Sequence, residues 1–150
     1  RITFTPRGRL AVNDTAYPAV QAGYAIMAEV AHRIAILALQ HDIAVVFTAI
    51  PTRELVYAEK IENERLIAPE TYRRLVSMER ANIATLASTI RAIPGVRYVD
   101  LIQPLQAAAR SDKPLYPRQW DGHPGREGYA VIARTLANAV DQANSREQEQ

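Results

Sequence analysis

The sequence predicts an α/β fold with a parallel sheet, because segments of helical periodicity alternate with short apolar segments rich in β-branched residues. The helical segments lie at about 24–40, 69–93 and 126–143. The first apolar segment, residues 43–51, is IAVVFTAIP, and such a continuous run is typical of a strand buried on both faces. The second, residues 96–101, is VRYVDL. With 150 residues, the chain is long enough for one domain with its own core.

The segments before and between these elements look irregular. Residues 1–23 mix β-leaning stretches with Pro, Gly and Asn, which predicts an irregular entry with at most one short strand. The first helix follows, and its apolar residues recur at helical spacing: Met27, Val30, Ile34 and Leu37. Residues 52–70 are polar and long for a connection, and we expect the charged run at residues 58–65 to be a solvated face. Right-handed crossovers between parallel strands then complete the topology.

The two later helices have clear boundaries. Pro69 fits the first turn of the second helix, where its missing N–H is not needed, and Pro94 with Gly95 ends that helix. Its apolar stripe consists of Tyr72, Val76, Ile83, Leu86 and Ile90. One or two helical turns are expected at residues 103–110. The last helix has the stripe Tyr129, Ile132, Ala133, Leu136 and Val140.

Composition excludes several classes of function. The formal charge of +2 is too small to indicate nucleic acid binding. The chain has no cysteine, which excludes thiol catalysis, disulfides and cysteine-ligated metals. No apolar run approaches the roughly 18 residues of a membrane span, so none is expected. Because the first residue is Arg1 and not Met, we expect the chain to belong to a longer protein.

The stretch WDGHP, residues 120–124, contains the residue pair that suggests a catalytic function. Asp121 is close enough in sequence to serve one ring nitrogen of His123 and leave the other free to accept a proton from a hydroxyl. Gly122 permits the turn, and Pro124 restricts His123 to extended conformations. A surface turn with an exposed histidine explains the same residues, so the motif alone leaves both interpretations open.

Three segments resemble the SGNH (GDSL-type) hydrolases, and in particular the subgroup related to alginate O-acetylation proteins. The block DGHPGREGYAVIARTLANAV, residues 121–140, resembles the last conserved block of that family. Residues 43–57 resemble a strand with its following loop, and residues 96–108 resemble the strand that precedes the Asp-His loop. The resemblance covers residues 24–143. It implies a three-layer, flavodoxin-like parallel sheet, incomplete in this chain.

The resemblance also implies a function. A Ser-His-Asp triad with His123 as base and Asp121 as its partner would hydrolyse or transfer an acyl group, and the resemblance implies an acetyl group on a sugar or polysaccharide. Neither a cofactor nor a metal is expected. By the same resemblance, the parent protein would be exported or membrane-anchored. The alternative is a catalytically inactive domain of this type that binds a glycan or a protein partner.

The sequence departs from the family at the nucleophile. No Gly-Asp-Ser block is present, and the four serines are Ser77, Ser88, Ser111 and Ser145. Only Ser111 lies in a predicted loop, so we expect the nucleophile upstream of this sequence or lost. The stretch AVND makes Asn13 a candidate oxyanion donor, although the same turn could initiate the first helix.

Substrate-binding candidates surround the motif. Trp120 and Tyr116 offer aromatic faces for a sugar, with packing of the loop as the alternative. Arg53 and its neighbour Glu54 follow the first strand and could line a cleft, although we favour an ion pair on a solvated rim. Oligomeric state and compartment do not follow from the sequence.

Overall fold

Two short parallel strands and seven helices make up the described part of the chain. The structure is a computed structural model that describes residues 4–111, 113–118 and 122–147. The elements are α1 (Pro6–Asn13), α2 (Pro18–Leu39), β1 (Val45–Phe47), α3 (Arg53–Val56), α4 (Ala58–Asn63), α5 (Glu70–Arg91), β2 (Val96–Tyr98), α6 (Ile102–Ala109) and α7 (Arg126–Glu147).

The strands pair in parallel, as the alternation predicted. Val45 is in register with Val96, and Phe47 with Tyr98, while α5 makes the crossover between them. All three residues of β1 are only half-buried, so the expectation of a strand buried on both faces is wrong for this short strand. A two-stranded sheet within the described residues is too small to test a three-layer, flavodoxin-like fold, which stays a prediction.

The segment expected to be an irregular entry contains the whole of α1 and the start of α2. Pro6 occupies the first turn of α1, where its fixed φ favours a helix, and α1 packs against α5. Asn82 of α5 donates a hydrogen bond from Nδ2 to the backbone carbonyl of Asn13, at 2.8 Å. Next, α2 begins at Pro18, earlier than residue 24, because this second proline again fits a first helical turn. The expected short strand is absent from the described residues 4–23.

The segment after β1 is the clearest correction. Residues 51 and 53–58 are all buried, whereas the sequence indicated a polar connection with Arg53 and Glu54 on a solvated rim. Three side-chain donors from distant elements satisfy the backbone carbonyls of this segment. Tyr116 Oη donates to Pro51 O at 2.8 Å, Tyr72 Oη to Glu54 O at 2.6 Å, and Gln106 Nε2 to Leu55 O at 3.0 Å. These bonds permit a polar segment to lie inside the protein.

The later helices agree with their sequence signatures. Pro69 caps α5 instead of lying in its first turn, and α5 ends at Arg91, before Gly95 adopts a φ of 75° that favours glycine. The short helix α6 and the long helix α7 lie where helical turns were expected. On α7, Ile132 is buried, but Tyr129 and Val140 of the predicted stripe are exposed.

Two apolar clusters form the core. The larger one joins the segment after β1 to the end of β2, to α6 and to α7, through residues Val56, Tyr57, Val99, Leu101, Leu105, Ala109, Leu115, Tyr116 and Ile132. The smaller one joins α2, α5 and β2 through Ala31, Ala87, Ile90 and Tyr98. The larger cluster therefore supports the region in which β1 ends and α7 begins.

Helix α2 also corrects an expectation about membranes. Within the described residues it is the one helix long and apolar enough to cross a membrane by length and composition, with a mean hydropathy of 1.4 over its most apolar stretch. The expectation that no stretch approaches a membrane span is therefore wrong for α2 on these two criteria. Core helices and signal sequences share the same length and composition.

Candidate functional site

The loop that carries His123 is held at both of its described ends. The backbone N–H of Gly125 donates to the carbonyl of Leu115 at 2.7 Å, and α7 begins at the next residue. A Cβ on Gly128 would lie 2.5 Å from the Leu115 carbonyl oxygen, so only glycine allows this approach of α7. The His123 side chain is exposed, on a loop anchored to the larger core cluster.

Gly122 connects this loop to α1. A Cβ on Gly122 would lie 1.7 Å from Nη2 of Arg9, which means that the Arg9 guanidinium packs directly against the Gly122 backbone. Arg9 Nε is in turn 3.6 Å from Glu54 Oε2. The Arg9 guanidinium therefore lies between Gly122, the residue that separates Asp121 and His123 in sequence, and Glu54, which follows β1.

Glu54 is fully buried and forms the centre of a charged cluster. Its Oε1 accepts a hydrogen bond from the backbone N–H of Thr5 at 2.9 Å and lies 4.0 Å from Arg53 Nε. The side chains of Arg53 and Glu54 are both 0% exposed. Buried charged side chains are costly unless they are paired, so the proximity of Arg53 and Arg9 compensates for the burial of Glu54.

Glu79 of α5 adds a second carboxylate to the cluster. Its two oxygens accept hydrogen bonds from Thr52, from the backbone N–H at 2.7 Å and from Oγ1 at 2.6 Å. Burial raises the pKa of Glu79, and the charge of Glu54 raises it further, whereas the bonds from Thr52 and the charge of Arg9 lower it. Glu79 therefore binds Thr52, the residue just before α3, and Glu54 lies within α3.

The buried tyrosines respond to the same environment. Burial, followed by the charge of Glu79, raises the pKa of Tyr116 well above its usual range. Burial, followed by the charge of Glu54, does the same for Tyr72. Both hydroxyls therefore remain protonated donors to the backbone of the segment after β1.

Some of the predicted site residues lie outside the described part of the chain, and others are buried within it. Trp120 and Asp121 lie outside the described residues, so the contact between Asp121 and His123 stays a prediction. Tyr116 is 1% exposed, which agrees with packing and not with sugar stacking. Arg53 and Glu54 do lie within ion-pair distance, at 4.0 Å between Nε and Oε1, but both side chains are fully buried, so the expectation of a solvated rim is wrong.

Asn13 and the serines are also located. Asn13 ends α1 instead of initiating a helix, and its Nδ2 donates to the carbonyl of Arg9 at 3.0 Å, one turn back. Ser77 and Ser88 lie on exposed positions of α5. Ser111 follows α6, and its Oγ donates to the Ala108 carbonyl at 2.6 Å, which is a capping role.

Three residues of the site were missed from the sequence. Arg9 gave no signal, because it lies in the segment interpreted as irregular. Thr52 lay in the stretch interpreted as a polar connection. Glu79 did give a signal in the sequence. It lies at helical spacing from buried positions of α5 such as Leu75 and Ile83, where a carboxylate needs a partner.

Comparisons with known proteins do not identify a family for this chain. No family model, no curated protein and no solved structure matches the chain. Among the described residues, no group of three His, Cys, Asp or Glu side chains could hold a metal ion.

Proposed function

We propose that this chain is the part of an SGNH-like ester hydrolase or O-acetyltransferase that contributes the histidine and aspartate of a Ser-His-Asp triad. The observation that carries the proposal is the contact between Gly122 and Arg9, and through Arg9 with Glu54. It brings the Asp-x-His loop close to the residues that follow β1. In parallel sheets, ligands bind at the carboxyl ends of the strands.

The proposed chemistry is acyl transfer through a serine ester. His123 accepts the serine proton as the hydroxyl oxygen attacks the ester carbonyl, and it returns that proton to the leaving alcohol. Water or a sugar hydroxyl then attacks the acyl-enzyme, giving hydrolysis or transfer respectively. Asp121 would hold the imidazole in the required tautomer. Asn13, one turn from Arg9, is the proposed side-chain donor to the oxyanion.

The proposal needs a serine beyond the four in this sequence. Ser77 and Ser88 lie on the exposed side of a helix, and Ser111 already donates its hydroxyl proton to a helix end. Ser145 belongs to the last turn of α7, at the opposite end of that helix from the His123 loop. We therefore assign the nucleophile to a Gly-Asp-Ser block on a preceding segment of the polypeptide. The substrate is an acetyl ester of a sugar or polysaccharide, as the sequence resemblance implies.

The positions of these serines also favour the alternative, a catalytically inactive domain that binds a glycan or a protein. The two functions differ in covalent reactivity. A fluorophosphonate probe, read by intact mass, should label a polypeptide that includes the preceding block and leave this chain unlabelled. Labelling of this chain would instead implicate one of its own serines. If neither polypeptide is labelled, the binding domain is the better account.

His123→Ala tests the proposed base. In the polypeptide with the nucleophile, we expect loss of acetyl ester hydrolysis by a factor of about 10³ or more, since general bases in triads contribute at that level. His41→Ala is the matched control, because His41 is also an exposed histidine and lies after α2. Undiminished turnover in His123→Ala would contradict the proposal.

A further inference from the structure

The backbone of Gly122, the residue between Asp121 and His123, is covered by the side chain of Arg9. A Cβ on Gly122 would lie 1.7 Å from Nη2, 2.9 Å from Cζ and 3.3 Å from Nη1 of Arg9, so the guanidinium lies directly against this residue. Consecutive Cα atoms are about 3.8 Å apart, so a shift of Gly122 moves its two neighbours with it. The position of Arg9 therefore constrains the backbone between the two residues of the motif.

Arg9 needs an anchor of its own, because an arginine side chain is flexible and loses rotamer freedom when it is held. Two contacts hold its Nε. Oε2 of Glu54 lies 3.6 Å from it, and Oγ1 of Thr5 accepts a hydrogen bond from it at 3.4 Å. Thr5 is exposed, whereas the side chain of Glu54 is fully buried. Glu54 is therefore the fixed end of this contact.

The position of Glu54 is determined by its own contacts. Its Oε1 accepts a hydrogen bond from the backbone N–H of Thr5 at 2.9 Å, and its backbone carbonyl accepts one from the Tyr72 hydroxyl at 2.6 Å. All four residues of its helix, α3, are buried. Its Oε2 is buried and accepts no hydrogen bond from any described residue, and Arg9 lies within ion-pair distance of it. The charge of Arg9 thus compensates the burial of this oxygen.

We propose that Glu54 is a positioning residue for the Asp-x-His loop: it holds Arg9 against Gly122 and thereby fixes the placement of Asp121 and His123. This inference rests on the proposed function, which makes Asp121 and His123 the catalytic pair. Glu54 is buried and acts only through Arg9.

A buried pair of charges suits this role better than apolar packing would. Replacing a buried ion pair by apolar residues of similar volume is often neutral for stability, because taking the charges out of water costs about as much as their attraction gains. The guanidinium is planar and its donors are fixed in that plane, so pairing with a carboxylate restricts its orientation. Glu54 therefore contributes to the orientation of Arg9 more than to the stability of the fold.

Backbone relaxation, measured by NMR on this 16.7 kDa chain, tests the positioning without a catalytic assay. Glu54→Gln keeps the shape of the side chain and removes its charge. The order parameter of the Gly122 N–H should fall from about 0.85, the value of rigid backbone, to below about 0.6. Gly95 and Gly128, whose nearest neighbours do not include Arg9, should keep their order parameters.

Two further variants identify the route through Arg9. Glu59→Gln is the matched control, because it also removes a carboxylate from an ion pair, but the partner of Glu59 is Arg110, at 2.7 Å. It should leave Gly122 rigid. Arg9→Ala should increase the mobility of Gly122 as much as Glu54→Gln does, and the double variant should increase it no further. Because Arg9 is 25% exposed, Arg9→Ala tests the inference even if Glu54→Gln does not fold.

The catalytic consequence is measured in the polypeptide that includes the nucleophile. There, Glu54→Gln should lower kcat for a small acetyl ester about 100-fold and leave KM nearly unchanged, since a displacement of about 1 Å in a catalytic group has an effect of that size. Absence of fluorophosphonate labelling in the unsubstituted polypeptide would contradict the proposed function. The relaxation data would still decide whether Glu54 positions the loop.

Three results would overturn the inference. One is a Gly122 N–H that stays rigid in both Glu54→Gln and Arg9→Ala. Another is a Gly122 N–H that is already mobile in the unsubstituted chain. The third is a kcat that Glu54→Gln leaves unchanged in a polypeptide that the fluorophosphonate does label.

Discussion

The contact between Gly122 and Arg9 makes a quantitative prediction about Gly122→Ala. The new Cβ would lie 1.7 Å from Arg9 Nη2, whereas ordinary contact begins at 3.4 Å, so the guanidinium must move by about 1.7 Å (3.4 − 1.7). Arg9 Nε is already 3.6 Å from Glu54 Oε2. If the whole group moves directly away, this separation becomes about 5.3 Å (3.6 + 1.7), and the ion pair is lost.

The cost follows from Coulomb's law. With an effective dielectric constant of about 20, the attraction falls from about 4.6 kcal/mol at 3.6 Å to about 3.1 kcal/mol at 5.3 Å. The difference of about 1.5 kcal/mol is an upper value, because the Arg9 side chain is 25% exposed and can rotate. In an Arg9→Ala background there is no guanidinium to displace. There, Gly122→Ala should be neutral or stabilise the protein slightly by reducing the entropy of the unfolded chain.

A double-mutant cycle measures this difference. Urea unfolding of the parent, Gly122→Ala, Arg9→Ala and the double variant should give a coupling energy of about 1 kcal/mol, well above the roughly 0.3–0.5 kcal/mol scatter of independent sites. Equal effects of Gly122→Ala in both backgrounds would refute the contact. They would also remove the observation that connects the Asp-x-His loop to the charged cluster.

Three further predictions concern the stability of the protein. Gly128→Ala should destabilise the protein by about 1–3 kcal/mol, because its Cβ would meet a backbone oxygen, that of Leu115, at 2.5 Å. Gly23→Ala, in open space on α2, should instead stabilise it by about 0.5–1 kcal/mol in the same urea assay, and similar effects of the two changes would be inconsistent with the structure. Burial raises the pKa of Glu79, so the folded state holds that proton more firmly than the unfolded state does. The parent should therefore lose stability relative to Glu79→Gln as the pH rises from about 4 through the raised pKa, by about 1.4 kcal/mol for each unit of the shift, and a difference independent of pH would contradict this.

Periodic elements could be predicted from the sequence, and contacts between distant segments could not. Helix α5 and the pair of parallel strands followed from patterns within a few residues. The burial of residues 53–58 did not, because the donors that make it possible come from Tyr72, Gln106 and Tyr116. A polar local sequence looks solvated until these partners are known.

For the candidate site, the sequence indicated the Asp-x-His motif, whose catalytic role stays a prediction. The Asp-x-His motif and the loop around His123 could be recognised locally, from spacing and from Gly and Pro. The charged cluster could not, because Arg9, Glu54 and Glu79 belong to three helices far apart in sequence. Their pairing depends on the fold. Only Glu79, a carboxylate on the apolar face of its helix, indicated the cluster from the local sequence.

The three donors to the segment after β1 have a consequence for folding order. Their partners are 18, 51 and 65 residues away along the chain, for Tyr72, Gln106 and Tyr116 respectively. These contacts close long loops. The conformational entropy lost when each loop closes must be offset by other interactions before the contact forms. The segment from Pro51 to Leu55 should therefore acquire its final backbone late. Once formed, its backbone N–H groups should be protected from exchange with solvent, because residues 53–55 are buried although the adjoining strand is short and half-exposed.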